Sequence, residues 1–105
     1  MTTSATNLVN MTANEIVGLL KKREVTPAEL LDALRERISE VDNKVNALPT
    51  LCWERAYKDA DKMSNLSLDE RGILAGLPVA IKDLNPVSGV RSTWGSPIYR
   101  DFVPT

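Results

Sequence analysis

The sequence has no histidine and a single cysteine among its 105 residues. The first absence removes every mechanism that needs imidazole as a base or metal ligand. The second excludes an internal disulfide and a cysteine-built metal cluster, so Cys52 is read as a small apolar core residue. Charge of either sign is not in surplus. Thirteen basic and 14 acidic residues leave a formal net charge of −1, with no excess of cations to neutralise nucleic-acid phosphates. Long apolar runs are missing too. The N-terminal "MTTSATNLVN" has neither the basic start nor the apolar stretch of a signal peptide, and no later segment is long enough to span a bilayer. A cytoplasmic protein with no membrane contact is expected.

What is present suits a folded domain. At 43% hydrophobic and 26% charged residues, the composition argues against disorder. A chain this short buries on the order of two-thirds of its unfolded surface, so its core is thin. The first half is helical by pattern. Thr12 with Glu15, and Thr26 with Glu29, are capping boxes in which hydroxyl and carboxylate satisfy orphan backbone donors reciprocally; Pro27 adds a favoured first helical residue. Behind them Ile16, Val17, Leu19 and Leu20, then Leu30, Leu31, Leu34, Ile38 and Val41, recur at helical spacing. The pattern predicts an αα-hairpin of helices over 13–23 and 27–42. A short edge strand is expected over 47–51, restricted by Pro49. Trp53, Ala56, Tyr57, Ala60 and Met63 predict a third helix over 53–63, and "SNLSLDERG" a polar connector.

From Gly76 the period changes. Leu77, Val79 and Ile81 alternate with Pro78, Ala80 and Lys82, which predicts a strand over 77–82, apolar or small on both faces until its last residue. Such a strand cannot satisfy its own backbone groups, so it is expected to pair with a segment outside these residues or with another copy of the chain. The tail "NPVSGVRSTWGSPIYRDFVPT" is rich in turn formers and reads as a loop, with a helical turn near 97–101.

Two groups carry candidate chemistry. Lys82 ends the strand, where open α/β sheets place their ligands, and partial desolvation there favours the neutral amine that acts as a general base. Asp83 opposes this by favouring the charged form, although strand alternation turns it to the other face. The competing reading of Lys82 is structural: an ammonium that snorkels from a strand end or pairs with an aspartate. Ser88, Ser92, Thr93 and Ser96 form a hydroxyl cluster. A serine nucleophile needs a base in reach, and Lys82 is the one plausible base, but serines in a Gly/Pro loop usually serve the turns.

The stretch "LAGLPVAIKDLNPVSGVRSTWGS" closely resembles the start of the catalytic core of the amidase signature family, and "EVTPAELLDALRERISEVDNKVNAL" is similar to its usual approach. The glycine-leucine-proline opening, the apolar run ending in "IKD" and the later "STWGS" together make a specific pattern. The resemblance implies an α/β fold, with N-terminal helices followed by a strand of a mixed sheet covered by helices. Residues 1–105 would be the N-terminal portion of such a domain, with the helical hairpin at about 12–42 and the third helix, lysine strand and loop at about 47–105. It implies a Ser–cis-Ser–Lys triad acting on a small-molecule amide without metal or organic cofactor, with Lys82 as the base and Asp83 as a structural neighbour. Residues 91–96 match the family's hydroxyl-bearing loop, which supports the site without supplying the nucleophile. The family's two serines lie in a glycine- and serine-rich segment downstream, which these residues do not contain. The 105-residue chain by itself is therefore expected to be inactive.

Within the family a general amidase is favoured over the A subunit of a tRNA-dependent amidotransferase, because that branch usually continues "KD" with asparagine and here Leu84 follows. Two other classes stand beside the hydrolase. One is a non-enzymatic association module, which fits the missing histidine and serines; unpaired apolar surface favours association, including with a second copy. The other uses Lys82 as a Schiff-base nucleophile, which reductive trapping with borohydride and peptide mapping would reveal.

Overall fold

Residues 5–105 are described in a computed structural model, their side chains from residue 7 onward; residues 1–4, the beginning of "MTTSATNLVN", lie outside the described residues. The first helix, α1 (Ala5–Val9), has no sequence announcement: it is five residues long, too short to stand without tertiary support. Its Leu8 is buried in the core. The next two helices begin where the capping boxes put them. Glu15 N–H donates to Thr12 Oγ1 at 3.2 Å and Thr12 N–H to Glu15 Oε2 at 3.3 Å, opening α2 (Ala13–Lys21). Thr26 and Glu29 make the same exchange at 3.1 and 3.5 Å ahead of α3 (Pro27–Val45).

The ends of these helices differ from the expected ones by a few residues, for local reasons. Arg23 takes a left-handed backbone (φ 58°) and Glu24 N–H donates to Leu19 O at 2.9 Å, so α2 stops at Lys21. Asn46 plays the same part after Val45 (φ 54°), and Ala47 N–H donates to Asp42 Oδ1 at 2.8 Å; the polar "DNKV" therefore belongs to α3. The fourth helix, α4 (Trp53–Ser64), matches the predicted one to within a residue. α3 packs against both α1 and α4. Between α3 and α4, the Tyr57 hydroxyl donates to Asp32 Oδ1 at 2.5 Å and the Arg35 guanidinium lies 5.6 Å above the Trp53 ring. Leu8, Leu20, Val25, Leu30, Ala33 and Ala75 form the core, with Leu20 fully buried. No described helix is long and apolar enough to cross a membrane.

The chain divides into two units. Among the described residues, 5–48 and 53–78 make the helical one; residues 49–52 and 79–105 make the other. In the first, the connector after α4 contains a short 3-10 turn, Leu68–Glu70, where a plain polar loop was expected. Arg71 is buried there and donates to Leu66 O, Ala75 O and Ser64 O at 3.3–3.4 Å. Gly76, two residues before the end of this unit, has φ 105° and lies close against Pro27 at the start of α3.

Three expectations are corrected. The strand over 77–82 is not formed: these residues are irregular, and Val79 and Ile81 are exposed. About half of the chain is helix, and the isolated bridge between Val87 and Val90 is the one β-type pairing among the described residues, so the mixed sheet is absent from them. The reason is physical, since an alternating apolar run becomes a strand only when a neighbour takes its backbone hydrogen bonds. The edge strand over 47–51 is not formed either, and Pro49 O instead accepts from the Arg91 guanidinium at 3.2 Å. Cys52 is exposed, not a core residue, because it precedes the first turn of α4, whose sheltered face falls at Trp53, Ala56, Tyr57 and Ala60. The helical turn expected near 97–101 is the 3-10 turn Pro97–Tyr99.

Candidate active site around Lys82

The second unit is a loop structure held by side chains. Gly89 takes a positive φ of 78° in a tight turn closed by Val90 N–H to Val87 O at 3.0 Å, and residues 89–92 then run beside 102–104. Gly89 N–H donates to Pro104 O at 2.9 Å and Ser92 N–H to Phe102 O at 3.0 Å. Arg91 spreads its guanidinium over three oxygens: Thr50 Oγ1 at 3.1 Å, Arg100 O at 3.0 Å and Pro49 O at 3.2 Å. Trp94, Tyr99 and Phe102 pack ring to ring, with centroids 5.0–6.1 Å apart.

Against this frame the residues after the apolar run are tied down one by one. Asp83 Oδ1 accepts from Thr93 N–H at 2.9 Å, and Oδ2 accepts from the Thr93 hydroxyl. The Trp94 indole N–H donates to Leu84 O at 3.0 Å. The Thr93 hydroxyl, then its backbone N–H, and more weakly the charge of Arg91, hold the Asp83 carboxyl below the ordinary aspartate range, against a small opposing effect of burial. Both hydrogen bonds donate to the carboxylate, so they favour the charged form.

Lys82 itself is exposed, and among the described residues its ammonium has no hydrogen bond or ion pair. The two neighbours thus have different surroundings: Asp83 is half-buried against the loop, Lys82 is open. The hydroxyls serve the loop. Ser92 is buried and donates to Val90 O at 3.3 Å; Thr93 is committed to Asp83; Ser96 accepts from Ile98 N–H at 3.3 Å at the head of the 3-10 turn; Ser88 is engaged as well. None of the four hydroxyls is hydrogen-bonded to Lys82. The Asp83–Thr93 pair and the reach of Arg91 to Pro49 and Thr50 were not legible in the sequence. Their partners lie 10 and 41–42 positions apart, beyond any local spacing rule. The available signal was an arginine and an aspartate set among turn residues with no opposite charge at helical spacing.

Comparison with known proteins adds to this geometry. The family model described as Amidase matches residues 29–105, a span that includes both Lys82 and the 91–96 loop. Among curated proteins, the chain is 40% identical over 97 residues to the glutamyl-tRNA(Gln) amidotransferase A subunit of Halothermothrix orenii. It is 38% identical over 98 residues to the protein of that name from Geotalea daltonii, and 36% over 98 residues to that from Shouchella clausii. These alignments cover 92–93% of this chain but 19–20% of the relatives, so the chain spans about one fifth of their length. No solved structure matches it.

Proposed function

The chain belongs to the amidase family, and from that premise we propose that it is the N-terminal part of a hydrolase that cleaves a carboxamide C–N bond, with Lys82 as general base. The reading rests on one observation above the others: the family match runs through "GLPVAIKD" and "STWGS" to the last residue, and Lys82 is the lysine of that motif. In the reaction proposed for the whole protein, a serine outside residues 1–105 attacks the amide carbonyl. A second serine relays its proton to neutral Lys82, backbone amides hold the oxyanion, and the leaving amine takes the proton back as the acyl-serine forms. Water then hydrolyses the ester by the same relay in reverse. The mixed sheet belongs to this proposal too, with residues 77–82 becoming a strand when the remaining domain supplies a neighbour. An enclosed Lys82 would follow from that closure.

A second reading, the A subunit of a tRNA-dependent amidotransferase, is favoured by the names of the relatives. Leu84 in place of asparagine favours the first. Purified full-length protein separates them: hydrolysis of simple carboxamides without other subunits supports the general amidase, and turnover of glutamine only with partner subunits and tRNA supports the other. For the shared chemistry, Lys82→Ala in the full-length protein should lower turnover by about 10²–10⁴-fold or more with the fold intact by circular dichroism. Lys82→Arg should fail as well, because a guanidinium stays protonated. Substantial turnover by folded Lys82→Ala would overturn the assignment.

A further inference from the structure

Three consecutive residues, 82–84, are each pinned by one neighbour. Lys82 O accepts from Asn85 N–H at 2.9 Å, which closes a turn directly after the apolar run. The Asp83 carboxylate receives both the N–H and the hydroxyl of Thr93, and Leu84 O receives the Trp94 indole N–H. The other side of this clamp is itself fixed. Thr93 Oγ1 accepts from Gly95 N–H at 3.2 Å, Ser92 N–H is bonded to Phe102 O, and Arg91 is bonded to three oxygens. The Lys82 side chain, by contrast, has nothing holding it among the described residues. Four rotatable bonds separate its ammonium from the backbone, so the direction in which it leaves the chain is set by the backbone around residues 82–84.

We propose that Thr93 and Asp83 form a positioning pair for Lys82: the two hydrogen bonds on the Asp83 carboxylate hold the backbone from which the lysine projects, and Thr93 is the residue that makes that hold specific. This rests on the reading of Lys82 as the base. Any residue supplies a backbone N–H, but only a hydroxyl at position 93 supplies the second donor, and two donors on two carboxylate oxygens fix the carboxyl plane where one would let it turn. Asp83 does not act by neutralising the lysine, since no ion pair joins them. The carboxyl, held below its ordinary range by these bonds, is in its accepting form at neutral pH.

The test is steady-state kinetics of the full-length protein with a carboxamide substrate, comparing Lys82→Ala, Thr93→Val, Thr93→Ser and Asp83→Ala. A displaced base costs turnover more than binding, so Thr93→Val should lower kcat by about 10–100-fold with KM within about threefold, and Thr93→Ser should recover most of it. Asp83→Ala should lower kcat at least as far as Thr93→Val. If Lys82→Ala abolishes turnover while folded Thr93→Val and Asp83→Ala keep kcat within about twofold, the positioning proposal falls and the base assignment stands. If Lys82→Ala keeps turnover, the base assignment falls, and the positioning proposal with it. Should Thr93→Val not fold, Asp83→Ala decides; if neither folds, or Thr93→Ser is as impaired as Thr93→Val, the pair holds the fold and not the lysine, and the proposal is overturned.

Discussion

At Gly76 two requirements coincide. Its φ of 105° lies where L side chains are rare, and a Cβ built there would stand 2.7 Å from Pro27 Cγ. Pro27 cannot yield cheaply, because it is the buried first residue of α3 and its ring is rigid. Gly76→Ala should therefore lower the unfolding free energy by about 1–3 kcal/mol, combining backbone strain with overpacking, as read from a urea transition. Gly72→Ala is the contrast: it shares a positive φ but nothing lies within 4 Å of its Cβ, so it should cost less. Asp83 carries a prediction in pH. Its carboxyl titrates below the ordinary aspartate value of 3.8 in the folded chain, so the stability it contributes is fully present above that value and is lost as pH falls through the lower folded one. Trp94 fluorescence, which reports the neighbouring loop, should hold steady from neutral pH down to about 5 and change below about 4. In Asp83→Asn that acid limb should be absent or reduced. An unchanged acid limb in Asp83→Asn would assign it to other carboxylates.

The helices are the elements where sequence and structure agree most closely, and the physics explains why. A capping box needs two residues three apart, and an apolar face needs a 3.6-residue period, so α2, α3 and α4 are specified within their own length. What the pattern did not specify lies at sequence distance or below the length of a signal. Helix α1 has five residues, below the length at which a periodic pattern shows, and it buries Leu8 in the core. The 77–82 run has the right alternation for a strand, but alternation states a preference for a pleated surface and cannot provide the neighbour that makes one. In the site, Lys82 stands out by residue type and position, whereas the Thr93 and Trp94 ties to 83–84 had no local mark. The local character of the caps can be tested. Thr26→Ala removes the side-chain acceptor for Glu29 N–H and should destabilise the chain by about 1 kcal/mol, seen as an earlier thermal transition. Thr26→Ser, which keeps the acceptor, should lie close to the parent. Equal losses in both variants would mean that the threonine methyl, and not the cap, carries the effect.

For the molecule as a whole, one group among the exposed apolar residues bears on the missing sheet. Val79, Ile81 and Leu84 are 60%, 57% and 55% exposed, and they fall in the same stretch whose backbone N–H groups at 79–82 donate to nothing among the described residues. An unpaired row of donors lined by β-branched and aliphatic side chains is a template for another strand. The relatives are about five times longer than this chain, and they offer the obvious source of that strand under the proposed function. Hydrogen exchange distinguishes the possibilities because it reads backbone pairing residue by residue. In the 105-residue chain at low concentration, the amides of residues 79–82 should exchange near the unprotected rate, while those in the middle of α3 are slowed. In the full-length protein the same four amides should slow by about a hundredfold or more. Protection that appears in the short chain only as its concentration rises would identify a second copy as the neighbour. Full protection of 79–82 in a dilute monomer of the short chain would show that these residues find their partner within the chain, and would remove the ground for placing residues 77–82 in a larger sheet.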